Sequence, residues 1–209
     1  LVLLGRGGAP TTEAYSVTFR DLFAFCRRLP VIAWAIALFA SFEAMILTLL
    51  PVYCLQQGFT TEIALFMVST VVVGDAVLQL PIGALADRMS RRTLFSGCAV
   101  TLLCSSLAIP LLLHTPVIWP LWVLFGASAG GLFTLSLVLI GERYRDDALV
   151  RANAHVAQLW GIGCLLGPLL AGAGSQWISG HALPLLMAVG AAGLVVLIRR
   201  RGAFEPASA

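Results

Sequence analysis

Long apolar runs alternate with short polar breaks along almost the whole chain. A membrane-crossing helix needs roughly 20 apolar residues at a rise of about 1.5 Å each. Six runs qualify, over about 30–56, 62–86, 93–113, 117–141, 149–173 and 182–198. Backbone groups in hydrocarbon must bond internally, and runs of this length suit helices rather than the ten-residue strands of a barrel. The connections are short, so consecutive helices are expected as antiparallel neighbours. The pattern predicts an all-α membrane protein, with six transmembrane helices in one bundle over 30–201. Ahead of it, 1–29 reads as a linker, in which LVLLG is the last turn of an earlier, truncated helix and GRGGAPTTEAYSVTFRDLFAFCRR a loop leading into a short amphipathic stretch. Residues 202–209 read as a cytoplasmic tail.

Composition agrees with this pattern. Apolar residues make up 59% of the 209 and charged ones 11%, against about 25% charged in a soluble domain. A soluble fold of this length has too little interior for so much apolar surface. The lipid bilayer is therefore its first partner, and a net charge of +3 gives no reason to expect nucleic acid.

Charge placement predicts the orientation. The chain has no lysine, and its thirteen arginines fall into four groups. Arg6, Arg20, Arg27 and Arg28 precede the first span, and Arg88, Arg91 and Arg92 follow the second. Arg143, Arg145 and Arg151 lie between the fourth and fifth, and Arg199, Arg200 and Arg201 follow the sixth. The connections near QQGFTTE, HTPVIWP and SQWISGH have none. Cytoplasmic loops hold the basic excess of membrane proteins, so both termini are expected in the cytoplasm, with the chain in a bacterial-type inner membrane.

Little in the sequence points to catalysis. Cys26, Cys54, Cys98, Cys104 and Cys164 form no C-x-x-C pair, and His114, His155 and His181 have no metal-ligand spacing. There is no phosphate-binding G-x-x-x-x-G-K-[ST] and no nucleophile–base arrangement. No enzyme, cofactor or metal is expected.

The break between the second and third spans carries the most specific pattern. PIGALADRMSRRTLF resembles the G-x-L-A-D-R-x-G-R-R signature of the major facilitator superfamily of secondary transporters, matching it at Gly83, Leu85, Ala86, Asp87, Arg88, Arg91 and Arg92. Ser90 stands where the family usually has glycine, which implies a less permissive turn. GIGCLLGPLLAG in the fifth span is similar to the glycine–proline motif of antiporters in that superfamily, at Gly163, Gly167, Pro168 and Gly172, with Ala171 in place of a glycine. LPVY at 50–53, with Gln79, Pro81 and Gly83 following, resembles the drug-efflux-like and poorly characterised bacterial branch. The resemblance implies the carboxy-terminal six-helix half of a twelve-span transporter. Its partner would be an amino-terminal bundle or a second copy, and its cargo a small-molecule substrate. Physically, Asp87 at a helix end suits the exposed N–H groups of a neighbouring helix, and the arginines suit acids on adjacent loops. The loop then gates the cytoplasmic side or, on the plainer alternative, only anchors topology.

Two acids interrupt the apolar runs: Glu43 in LFASFEAMILTLLP and Asp75 in VVVGDAVLQLP. Both fall roughly 16–20 Å from the arginine side, near mid-bilayer. A charged acid there costs at least about 2.5–3.5 kcal/mol, so each must face a wet cavity, be protonated, or have a partner. Gln79 lies one turn from Asp75 and shares its face. Proton-coupled exchange needs such carboxyls, and a cationic substrate suits them, while the plainer role is a hydrogen bond between helices. His155, with Gln158 three residues on, is either a helix-contact residue or a proton relay. GERYRDD offers Glu142, Asp146 and Asp147 to the arginines of 88–92 or remains a solvated loop. Gly126 and Gly130, and again Gly163 and Gly167, are four apart, a spacing that lets helix backbones approach closely, and Pro168 adds a kink site. The expected function is transport of a small solute by alternating access, proton-coupled and efflux-like; the alternative is a non-transporting scaffold derived from a transporter half.

Overall fold

A computed structural model describes residues 18–86, 88–177 and 180–200, without the side chains of Gln176 and Trp177. Asp87, LVLLG, Arg6, Arg201 and the 202–209 tail lie outside these. The described residues form eight helices: α1 Phe19–Arg28, α2 Pro30–Thr48, α3 Leu50–Gln56, α4 Thr61–Ala86, α5 Arg91–Leu112, α6 Ile118–Arg143, α7 Asp146–Trp177 and α8 Ala182–Arg200. Six of them, α2 and α4 to α8, are long and apolar enough to cross a membrane.

The run expected as one span over 30–56 is two helices. The break falls at Leu49, because Pro51 has no N–H to return to the carbonyl of Leu47 and its ring crowds the preceding turn. Pro81, Pro110 and Pro168, by contrast, sit inside continuous helices.

Ends are closed locally. Asp21 accepts from the Thr18 amide at 3.2 Å at the start of α1, and Arg27 and Arg28 in its last turn complement the helix dipole. Ser90 closes the start of α5. It has φ −61° and ψ 127°, a conformation open to any residue, and its Oγ accepts from the Thr93 amide at 3.2 Å. Where glycine would give only freedom, serine caps α5. Within the spans, Ser106 and Ser136 donate to carbonyls one turn back, at 2.6 and 2.7 Å, which satisfies buried hydroxyls without a partner helix.

Two parallel helix pairs form the frame. Gly74 of α4 faces the Val123 backbone of α6, and Gly126 of α6 faces Val71 and Asp75 of α4. On the other side Gly163 of α7 faces Ala37 and Ala40 of α2, and Gly167 faces Ser41. In both pairs the contacts advance in the same direction along both helices. α5 packs on α6 and α8. The main core joins these elements around Trp122, Phe95, Phe125, Met45 and Leu102. A smaller cluster seats Leu22, Phe25 and Leu29 against Ile32, Ile36, Ala152, Val156 and Leu159, and so holds α1 onto α2 and α7.

Connectivity brings the described arginines to one end of the bundle. The other end carries histidine contacts: Tyr53 Oη lies 3.0 Å from His181 Nδ1 and the Phe59 ring stacks on His114 at 4.9 Å.

Candidate functional site

The two span-interior acids lie on neighbouring helices. Asp75 is on α4 and Glu43 on α2, both half-buried, and their carboxyls lie within electrostatic reach of one another. Gln79 Nε2 donates to Asp75 Oδ1 at 2.7 Å, as helical i,i+4 spacing requires. The far side of that carboxylate is the bare backbone of Gly130. A Cβ built at Gly130 would overlap Asp75 Oδ1 and come within 3.0 Å of Gln79 Nε2. Gly130 therefore does more than narrow a helix contact: it makes the room in which an acid–amide pair sits inside the bundle.

Around Glu43 the surroundings are mixed. Ser41 Oγ donates to its own Ala37 carbonyl at 2.8 Å and to Gly163 of α7 at 3.0 Å, while the Cys164 thiol lies in electrostatic range of Glu43 and 3.6 Å from the Ala40 carbonyl. One turn toward the arginine end, Phe39 stacks on Phe133 at 4.8 Å and meets Trp160 edge-on at 5.5 Å. Beside Glu43, Phe42 meets Phe125 at 5.1 Å. No Arg or Lys lies within the same stretch of these helices.

Other expected site residues lie elsewhere. His155 is buried at the arginine end, with Nδ1 3.1 Å from Gln158 Oε1 and its ring 5.2 Å from that of Phe25 of α1. Since α2 and α7 run parallel with Gly163 beside Ala40, His155 lies roughly 15 Å along the axis from Glu43; the structure does not bring it to the acids. In the signature turn, Arg88 and Arg92 are exposed and Arg91 is half-buried. Arg91 pairs with Glu142 at the end of α6, 2.5 Å apart, so this part of GERYRDD is a helix-end contact rather than a solvated loop. A Cβ at Gly83 would meet nothing within 4 Å, and the same holds for Gly172. Of the glycine–proline motif, Gly163 and Gly167 make contacts that exclude a side chain, while Gly172 does not.

Comparison with known sequences decides the family. The family model of the Major Facilitator Superfamily matches residues 32–208. The chain belongs to that superfamily. An uncharacterized MFS-type transporter of Escherichia fergusonii, YcaD, is 30% identical over 140 residues, covering 67% of this chain and 36% of the relative. One from Enterobacter sp. strain 638 is 28% identical over 155 residues, 74% of this chain and 40% of its own. YfkF of Bacillus subtilis is 26% identical over 123 residues, 58% of this chain and 31% of its own. The matched region is well under half the length of these curated relatives. No solved structure matches the chain. As a superfamily member with six apolar helices, it is a multi-pass protein of the inner membrane.

Three contributors to the site escaped the sequence. Gly74 is a lone glycine next to an intramembrane acid, and that adjacency is the one signal it gave. Ser41 and Cys164 look like ordinary small residues in apolar runs, and only the register of α2 against α7 joins Ser41 to Gly163 and brings Cys164 into range of Glu43.

Proposed function

We propose that this chain forms a transporting half of a secondary transporter. It moves a small solute by alternating access, with Glu43 and Asp75 as the proton-coupling pair and Gln79 holding the second acid. Both termini and the arginine-bearing turns face the cytoplasm in this reading, and transport runs outward. An amino-terminal bundle or a second copy supplies the opposite wall.

One observation supports it most. Two half-buried acids from different helix pairs lie within electrostatic reach of one another, with no basic residue in the same stretch of helix. A purely structural acid needs one partner, and Asp75 has one in Gln79. A second acid brought into range of the first adds repulsion whenever both are charged, an arrangement that favours sharing or exchanging a proton.

The turn at 88–92 is the gate in this reading, with Asp87, Arg88 and Arg92 as its gating residues and Arg91 tied to Glu142. The coupling test is proton flux in proteoliposomes made with the full-length protein. Glu43→Gln is expected to abolish coupled flux while insertion and melting temperature stay unchanged. Wild-type, pH-dependent flux in that variant would remove Glu43 from the mechanism.

A further inference from the structure

The helix α1 is neither a span nor the continuation of one, and the transport reading leaves it unused. At 100° per residue its ten positions divide into four faces of different chemistry. Leu22 and Phe25, continued by Leu29, are buried against α2 and α7. About a quarter turn round, Phe19 and Phe23 stand 82% and 72% exposed. A further step of about 70° brings Arg20 and Arg27, and beyond them lie Arg28 and Asp21. Asp21 is engaged with the Thr18 amide, and none of the three arginines has an ion pair among the described residues.

Position adds a second argument. Leu29, a single residue, separates α1 from Pro30, the first residue of an apolar span. The helix is therefore tethered at the depth where the bilayer begins. A helix at that depth has a bundle on one side, acyl chains below, headgroups level with it and water above. The four faces occur in that order around α1.

We propose that α1 is a lipid-docking helix for an anionic membrane surface. Phe19 and Phe23 enter the boundary between headgroups and acyl chains, and Arg20 and Arg27 bind headgroup phosphates. Buried apolar area and attraction to anionic lipid together set the strength of such binding, and a single short helix has little area, so the arginines carry much of it. Docking fixes the height of the N-terminal ends of α2 and α7, the helices that α1 clasps.

The test reconstitutes the whole chain, with its five cysteines replaced by alanine, in vesicles of neutral phosphatidylcholine or with about one third phosphatidylglycerol, a strongly anionic surface. A nitroxide on Phe23→Cys is read by electron paramagnetic resonance against oxygen, which enters lipid, and a nickel chelate, which stays in water. In the anionic vesicles the label is expected in the oxygen-rich phase, while one on Asp21→Cys stays in water. Arg20→Gln and Arg27→Gln are each expected to lower the docked-to-undocked ratio about fivefold. A Phe23 label open to water in both vesicle types would overturn the proposal. So would one shielded from both probes, the sign of a protein cover, or one indifferent to lipid charge and to the arginines. Amide exchange of α1 in the unsubstituted chain supplies a check independent of labelling: slower exchange in anionic vesicles supports docking, and equal exchange overturns it.

Discussion

At Asp75 the carboxylate is held between a glutamine amide on its own helix and the bare backbone of Gly130, leaving room for one planar group. Asn has the same shape and keeps an oxygen for Gln79. Asp75→Asn is therefore expected to leave the melting temperature in detergent unchanged while depressing coupled flux. Asp75→Leu loses the acceptor and crowds Gly130, at a cost of about 1–3 kcal/mol for overpacking. Equal melting of all three proteins would show that the site is looser than the contacts indicate. The acids themselves were legible, because charge in a span is costly wherever it occurs. Their meeting was not, since it depends on how α2 lies against α4, and no local pattern encodes that. His155 illustrates the same limit from the other side: its polarity was visible, but the neighbours that make it part of the α1 clasp were not.

Among the elements, α7 offers an internal comparison. Gly163 and Gly167 lie against α2 backbone, whereas Gly161 and Gly172 have open space where a Cβ would go. Gly163→Ala and Gly167→Ala are expected to destabilise the bundle by about 1–3 kcal/mol. Gly161→Ala and Gly172→Ala should be neutral or stabilising by up to about 1 kcal/mol, since alanine is the better helix former. Thermal unfolding of the four variants checks this, and a uniform response would deny that close backbone approach is why glycine stands at two of them. Helix number and position were readable because hydrocarbon leaves the backbone one solution. The break at Leu49 was less so: Pro51 announced a disturbance, but whether a proline kinks a helix or divides it depends on the neighbours that satisfy the freed groups.

For the whole molecule, the ion pair between Arg91 and Glu142 ties the first residue of α5, just after the signature turn, to the end of α6. Its side chains are 27% and 50% exposed, so a double-mutant cycle is expected to give only about 0.2–1 kcal/mol of coupling. A much larger coupling would mark it as a structural clamp. A small one, with transport slowed by Arg91→Gln, leaves it a latch that can open at little cost. The glycine seams have a further consequence. Glu43 is carried by the α2–α7 couple and Asp75 by the α4–α6 couple, and each couple is fastened too closely at its glycines to shear within itself. Any rocking of one couple past the other must change the gap between these two oxygen-bearing groups, so that on the proposed transport reading their spacing would serve as a built-in gauge of the cycle.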